Sequence, residues 1–358
     1  MWLIPSKMKR NKSGGFVRTV LVAALVGAIT SGCADSPQVV TPPESPIAPT
    51  TTQFGSTALQ YAVFLEDNLG FRRPFTERER DTADWLVSEL IGIGFQPAHV
   101  SIQQFGFAAI QPEFAELPIS QVESLISIVP WMTDAELIPN SQNVIAHLNG
   151  SSPTRVIVGA HYDTTNTPGG GDNGSGVGLL LELATELLAS GEELPYTIDF
   201  VFFGAEELAL TGSRYFVSEL SATELEAIKL MANADALFDH EELFFAAGIS
   251  SADGLQQLTN PLTESIAQLA TTAEFNLVPF PGGIFAPTDS QPFALAGIPV
   301  VNLFAIDVTP YNFIRSPDTL IDTPEDSISI IGQRWPGRME DALDRYGRFL
   351  YELLHFDW

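Results

Sequence analysis

The chain has 358 residues, long enough for one large α/β domain or two smaller ones with a substantial buried core. Its formal charge of −27 and the 44 acidic against 17 basic residues argue against binding nucleic acid or anionic lipid. A single cysteine, Cys33, excludes an internal disulfide framework, so stability must come from core packing.

The N-terminal stretch is organised like an export signal. Lys7, Lys9, Arg10, Lys12 and Arg18 form a basic region, and the apolar run "VLVAALVGAIT" follows it. That run is too short for a comfortable membrane span. The "SGC" junction resembles the lipobox of bacterial lipoproteins, which implies acylation at Cys33; an ordinary signal peptide cleaved nearby is the alternative. Either way residues 1–32 read as a signal, and the mature chain is expected to work outside the cytoplasm, touching a membrane only through a lipid at Cys33. Without residues 1–32 the chain keeps 12 basic against 44 acidic residues, a formal charge of −32. Residues 33–54 are Pro/Thr/Ser-rich and read as a tether, with a single globular domain over 55–358.

Within that domain "STALQYAVFLEDNLG" has helical periodicity, and Thr76 with Glu79 offers a capping box for a helix that stops at Gly92 or Gly94. Residues 105–142 read as an irregular, Pro-containing excursion. "NVIAHL" (143–148) and "RVIVGAHYD" (155–163) read as strands. "VGLLLELATELLAS" (177–190) is apolar nearly all round, as in a helix laid on a sheet, and "TIDFVFF" (197–203) is another buried strand. Strand, helix, strand within about 50 residues is a βαβ unit with a parallel sheet. Further strands are expected in "IKLMANAD", "ELFFAAG" and "IPVVNLFAI". A last helix carries Met339, Leu343, Tyr346 and Leu350 at helical spacing. The expected fold is therefore α/β, with a mostly parallel central sheet flanked by helices.

Ligands of open α/β sheets bind beyond the carboxyl ends of the strands. Here those ends are acidic. His161 and Asp163 close one strand, Asp172 follows in the turn "GGGDNGSG", Glu206 and Glu207 close the next strand, and Asp235 closes another. Each motif alone is commonly a surface pair, a cap or a turn. Jointly they bring five acids and one imidazole to one rim, with no Lys or Arg between Arg155 and Arg214. Crowded carboxylates of this kind destabilise a fold unless a cation lies among them, and His with Asp/Glu suits Zn²⁺.

The string "VGAHYDT…PGGGDNGSGVGLLLELATEL…FVFFGAEELALTGSRYFV…MANADAL", with "TDSQPFALAGIPVV" downstream, resembles the secreted zinc-dependent aminopeptidases with co-catalytic metal pairs, relatives of glutamate carboxypeptidase and glutaminyl cyclase. The resemblance implies a zinc-exopeptidase fold, a peptide substrate and hydrolysis of N-terminal residues. It implies His161 and Asp235 as ligands of one zinc, Asp172 as the bridging carboxylate and Glu207 as a ligand of a second. Asp163 would orient His161, and Glu206 would be the general base that takes a proton from a metal-activated water.

One family position departs. The last zinc-binding histidine falls on Arg315, or on Asn312 in a shifted register, and an arginine stays protonated and cannot ligate zinc. One zinc is expected. The second position is left open: weak, empty, or completed from elsewhere, with His240 and His355 lacking positional support. Two other readings stand beside the peptidase: a single-zinc glutaminyl-peptide cyclotransferase and a non-catalytic peptide-binding relative. His99, His147, His240 and His355 share no spacing and read as structural or surface residues.

Overall fold

A computed structural model describes residues 53–251, 254, 256–280, 287–306 and 319–358. The signal and most of the tether, as well as Asn312 and Arg315, lie outside the described residues. Nine strands are described: β1 (Val100–Gly106), β2 (Asn140–Leu148), β3 (Arg155–His161), β4 (Thr197–Phe203), β5 (Ile228–Ala234), β6 (Phe244–Ser250), β7 (Gln257–Leu258), β8 (Val278–Pro279) and β9 (Val300–Phe304). They form a sheet in the order β1-β2-β4-β3-β5-β9-β6-β7, with β8 beside β6. The central four, β4-β3-β5-β9, run parallel. β1, β2 and β6 join antiparallel, so the sheet is mixed at its flanks and parallel where the acidic rim was expected.

Side chains of a strand alternate between faces, and the central strands are apolar on both. Val156, Val158 and Ala160 of β3, with Ile198, Phe200 and Phe202 of β4, join the large core cluster on one face. Ile157, Val201 and Phe203 point into a second cluster with Phe216, Met231 and Phe293 on the other. The helix Gly174–Ser190 is buried almost all round, as its sequence implied, and helix Ser56–Phe64 crosses it closely. The final helix Arg338–His355 buries Met339, Leu343, Tyr346 and Leu350 against the first face. Among the described residues no helix is long and apolar enough to cross a membrane.

Three local expectations change. The helix Glu77–Ile93 does start at Thr76, whose side chain accepts the Glu79 amide, and ends at Gly94 with φ 126°. Glu79 does not close the box on Thr76. Its carboxylate is fully buried and accepts from the Phe75 amide, the Ser141 hydroxyl and the Ala205 amide at 2.6, 2.7 and 2.9 Å. A capping side chain has become a bracket between three segments. Residues 105–142 are not wholly irregular: they start in strand β1, include the helix Ile119–Ile126, and bury Phe105, Phe107, Val122, Ile126 and Met132 with Ala205 and Leu208.

The third change concerns charge. Arg72 lies far upstream of the acidic motifs but its side chain is completely buried behind them. Its guanidinium donates to the carbonyls of Tyr162, Gly70, Pro168 and Gly169 at 2.7, 3.0, 3.2 and 3.1 Å. The rim is therefore not without a protein cation, as the interval between Arg155 and Arg214 had implied. Arg72 binds carbonyls, not the rim carboxylates, so it offsets their charge at a distance and fills none of their ligand positions.

Candidate metal centre

β3 pairs in parallel with β4 on one side and β5 on the other, so the three strands end side by side. His161 is the last residue of β3, Glu206 and Glu207 follow β4, and Asp235 follows β5. Asp172 arrives from the loop before helix Gly174–Ser190. His161 Nε2 stands 3.0 Å from Asp172 Oδ1 and 3.2 Å from Asp235 Oδ1. Three overlapping triads each offer ligand atoms within 4.8 Å of one another: His161 with Asp172 and Asp235, His161 with Glu206 and Glu207, and Asp172 with Glu207 and Asp322. All six residues expected from the sequence converge, and Asp322 joins them.

The loops that carry these groups are held by hydrogen bonds made elsewhere. Asp163 is fully buried, and its two oxygens accept the amides of Glu206 and Glu207 at 3.0 and 3.1 Å. Its carbonyl lies 3.2 Å from His161 Nδ1 and its carboxylate 3.6 Å, so it steadies the imidazole mainly through the main chain. Asp326 accepts the amides of Gly171 and Asp172 at 2.8 and 3.1 Å. A Cβ at Gly171 would fall 2.6 Å from Asp326 Oδ1, so this close approach requires glycine. Asn173 caps helix Gly174–Ser190 by accepting from Gly176, and also accepts the Ala236 amide and donates to the Ala234 carbonyl. One side chain thus ties the Asp172 loop to the turn that bears Asp235. The Asp172–Asn173 peptide is cis.

Backbone strain gathers at the same turns. Ala205, Ala236 and Asp322 have φ of 54°, 49° and 56°, the left-handed region that non-glycine residues avoid at about 1 kcal/mol or more each. Each adjoins or is a rim acid.

The electrostatics call for a cation. Asp172 Oδ1 and Glu207 Oε1 are buried without a hydrogen-bond partner; the approach of His161 to Asp172 lacks hydrogen-bond alignment. Burial raises Glu206 and Glu207 well above the usual carboxylate range, and neighbouring acids add to the effect. Burial works against the His161 imidazolium, but the charges of Glu206 and Asp235 and the nearby carboxylates of Asp163 and Asp172 outweigh it and raise its pKa. Asp289, also buried, is pushed up to about 8 by burial, against the pull of His161 and of the Ser213 hydroxyl. Buried acids in this state either hold protons or face a metal. A donor set of one imidazole and several carboxylates, with orphaned oxygens turned inward, fits zinc at His161, Asp172 and Asp235.

Sequence reasoning missed Asp289, Asp322, Asp326, Arg72 and Glu79. The other histidines lie outside the three triads, and the rings of His99 and His147 meet edge to face at 6.0 Å. His147 bonds Asp199 at 2.6 Å, the His240 ring stacks on Phe244, and His355 Nδ1 bonds the Tyr351 carbonyl. Neither His240 nor His355 therefore completes a metal position.

Comparison with known proteins agrees with this geometry. Aminopeptidase YwaD of Bacillus subtilis is 32% identical over 216 residues, covering 59% of this chain and 44% of that protein. The match thus spans about half the length of that curated relative. A zinc aminopeptidase from Bacillus subtilis, BSAP, superposes over 85% of this chain and 96% of its own with a TM-score of 0.64 at 21% identity. An Acidobacteriales bacterium glutaminyl cyclase does so over 88% and 99%, with a TM-score of 0.62 at 19% identity. At these identities the likeness to both structures is one of fold. The description "Peptidase family M28" matches residues 143–346, more than half of the chain and all of the rim acids with His161, and the protein belongs to that family.

Proposed function

We propose that the protein is a zinc-dependent exopeptidase that removes N-terminal residues from peptides. The observation that carries this reading is the pair of buried, unpartnered oxygens on Asp172 and Glu207, beside an imidazole at the ends of three parallel strands. His161, Asp172 and Asp235 would hold the metal, with Glu207 next to them. A divalent cation held there supplies Lewis acidity, polarising a carbonyl oxygen and making water more acidic.

Glu206 is the proton carrier. Burial raises its pKa above the usual carboxylate range, which strengthens it as a proton acceptor. It accepts a proton from the attacking water and delivers it to the departing amine, while the Asp163 bond to its amide fixes its position. The remaining negative charge of the rim attracts a free α-amine, which favours cleavage at the first peptide bond.

Relatives named as aminopeptidases support this choice over cyclisation of N-terminal glutamine. We also propose an extracytoplasmic location with lipid attachment at Cys33, on the strength of the basic and apolar N-terminal stretch. The test is hydrolysis of aminoacyl-nitroanilides by the purified protein, lost on chelation and restored by zinc. Cyclisation of glutaminyl peptides without such hydrolysis would replace the reading with that of a cyclotransferase.

A further inference from the structure

We propose that Glu79 is a positioning residue for Glu206, holding that base in place through the amide of the preceding Ala205. The inference rests on the reading of Glu206 as the proton carrier and concerns what fixes it.

Strand β4 ends at Phe203, and the chain then passes Glu206 and Glu207 without entering a helix. The amides of this turn are nonetheless all answered, each by a side chain. Gly204 donates to Asn143 Oδ1 at 3.1 Å, Ala205 to Glu79 Oε1 at 2.9 Å, and Glu206 and Glu207 to the two oxygens of Asp163 at 3.0 and 3.1 Å. Side chains from separate segments therefore clamp the turn in place of secondary structure. Asn143 and Asp163 belong to neighbouring strands or their ends, whereas Glu79 comes from the helix Glu77–Ile93, upstream of the family match.

Ala205 is where the chain leaves extended geometry. Its φ of 54° is one that residues with a Cβ avoid, so the turn keeps it only where the surroundings impose it. Relaxation there would swing Glu206, the next residue, and a displacement of about 1 Å at a reacting group can cost about 100-fold in rate.

The Glu79 carboxylate suits that task. It is fully buried; Oε1 takes both the Ala205 amide and the Ser141 hydroxyl, while Oε2 takes the Phe75 amide at 2.6 Å. Burial and the charge of Asp163 raise its pKa well above the usual range, and the three donors pull against them. An acid kept dry against that cost, with neutral donors for partners, acts through its acceptor oxygens.

The experiment compares Glu79→Gln and Glu79→Met in the full, zinc-loaded chain. Both side chains are close to glutamate in length, but only glutamine can keep a carbonyl oxygen toward Ala205 and Ser141. Aminoacyl-nitroanilide kinetics are read per folded, zinc-bearing chain, together with amide hydrogen exchange. Glu79→Met should lower kcat by about 10- to 100-fold with KM and zinc content nearly unchanged. It should also speed exchange at Ala205 and Glu206 by at least about tenfold while the β4 amides stay protected. Glu79→Gln should keep kcat within about threefold of wild type. Where Glu79→Met does not fold, Glu79→Asp, one methylene too short to reach Ala205, should show the same local losses. Gly178→Ala weakens the fold elsewhere, since its Cβ would meet the Ala58 carbonyl oxygen at 2.2 Å, and should keep the wild-type kcat. Wild-type kcat in the folded Met or Asp variant, a Glu79→Gln variant equally slow, or an equal fall in Gly178→Ala overturns the proposal. Exchange that rises alike at every amide overturns it too. A zinc-loaded wild type that hydrolyses nothing overturns the peptidase reading instead, and local exchange at Ala205 in Glu79→Met would still support the hold of Glu79 on the turn.

Discussion

The carboxylate of Asp163 accepts the amide proton of Glu206 at 3.0 Å, and its other oxygen accepts that of Glu207. One buried acid therefore sets the main-chain position of both the proposed base and its neighbouring ligand. Replacing it with Asn puts an amide donor opposite one of those N–H groups. We expect Asp163→Asn to lower kcat by about 10- to 100-fold and to weaken zinc retention, with KM little changed. Kinetics together with elemental analysis check this; a fall in KM-dependent terms alone would speak against a positioning role.

Glu206 and Glu207 are adjacent but should fail differently. Glu206→Gln is expected to cut kcat by about 10²- to 10⁴-fold while zinc stays bound. Asp172→Asn should release the metal. If both variants lose zinc equally, Glu206 is a ligand and the assignment of the base is wrong.

Protonation should be linked to stability when the metal is removed. The raised pKa values of Glu206, Glu207 and Asp289 mean that the folded chain keeps protons the unfolded chain gives up. Stability then falls as pH rises, for Asp289 between its ordinary 3.8 and about 8. His161 acts in the same sense, because the stability from its imidazolium is present below the ordinary value of 6.5 and lost as pH climbs through the raised one. Calorimetry of the chelated protein should show Tm falling from about pH 5 to about pH 8, with saturating zinc flattening the fall and releasing protons on binding. A Tm that rises across this window without metal would contradict the burial argument.

Gly178 tests the packing under the site. In an exposed helix, alanine would be favoured over glycine by about 1 kcal/mol. Here a Cβ would come 2.2 Å from the Ala58 carbonyl oxygen on the crossing helix. Gly178→Ala should therefore cost about 1–3 kcal/mol in denaturant unfolding without altering zinc affinity. A stabilised variant would mean that the two helices can part at little cost.

The acids that the sequence revealed share one trait, Asp172 excepted: each closes or immediately follows an apolar run that could only be a buried strand or its turn. His161, Asp163, Glu206, Glu207 and Asp235 were readable for that reason, and Asp172 from the glycines around it. Asp322 and Asp326 follow no strand, and Asp289 precedes a helix of six residues, so nothing local distinguished them. Arg72 and Glu79 act on partners 90 and 126 residues away, a relation no periodicity records. Strand β1 was missed because it is an edge strand with little burial, and its polar "SIQQ" lacks a clean alternation. The parallel centre of the sheet was readable, while its antiparallel flanks were set by pairing partners distant in sequence.

The four carbonyls gripped by Arg72 carry a practical consequence. The family match begins at residue 143, yet the guanidinium that fastens the loops beneath the rim is supplied from upstream of it, as is Glu79. A recombinant fragment trimmed to residues 143–346 would leave the Tyr162, Pro168 and Gly169 carbonyls unanswered and would sever the last helix in mid-course. The support of the acidic rim in this chain thus comes from a longer stretch than the one that declares its ancestry.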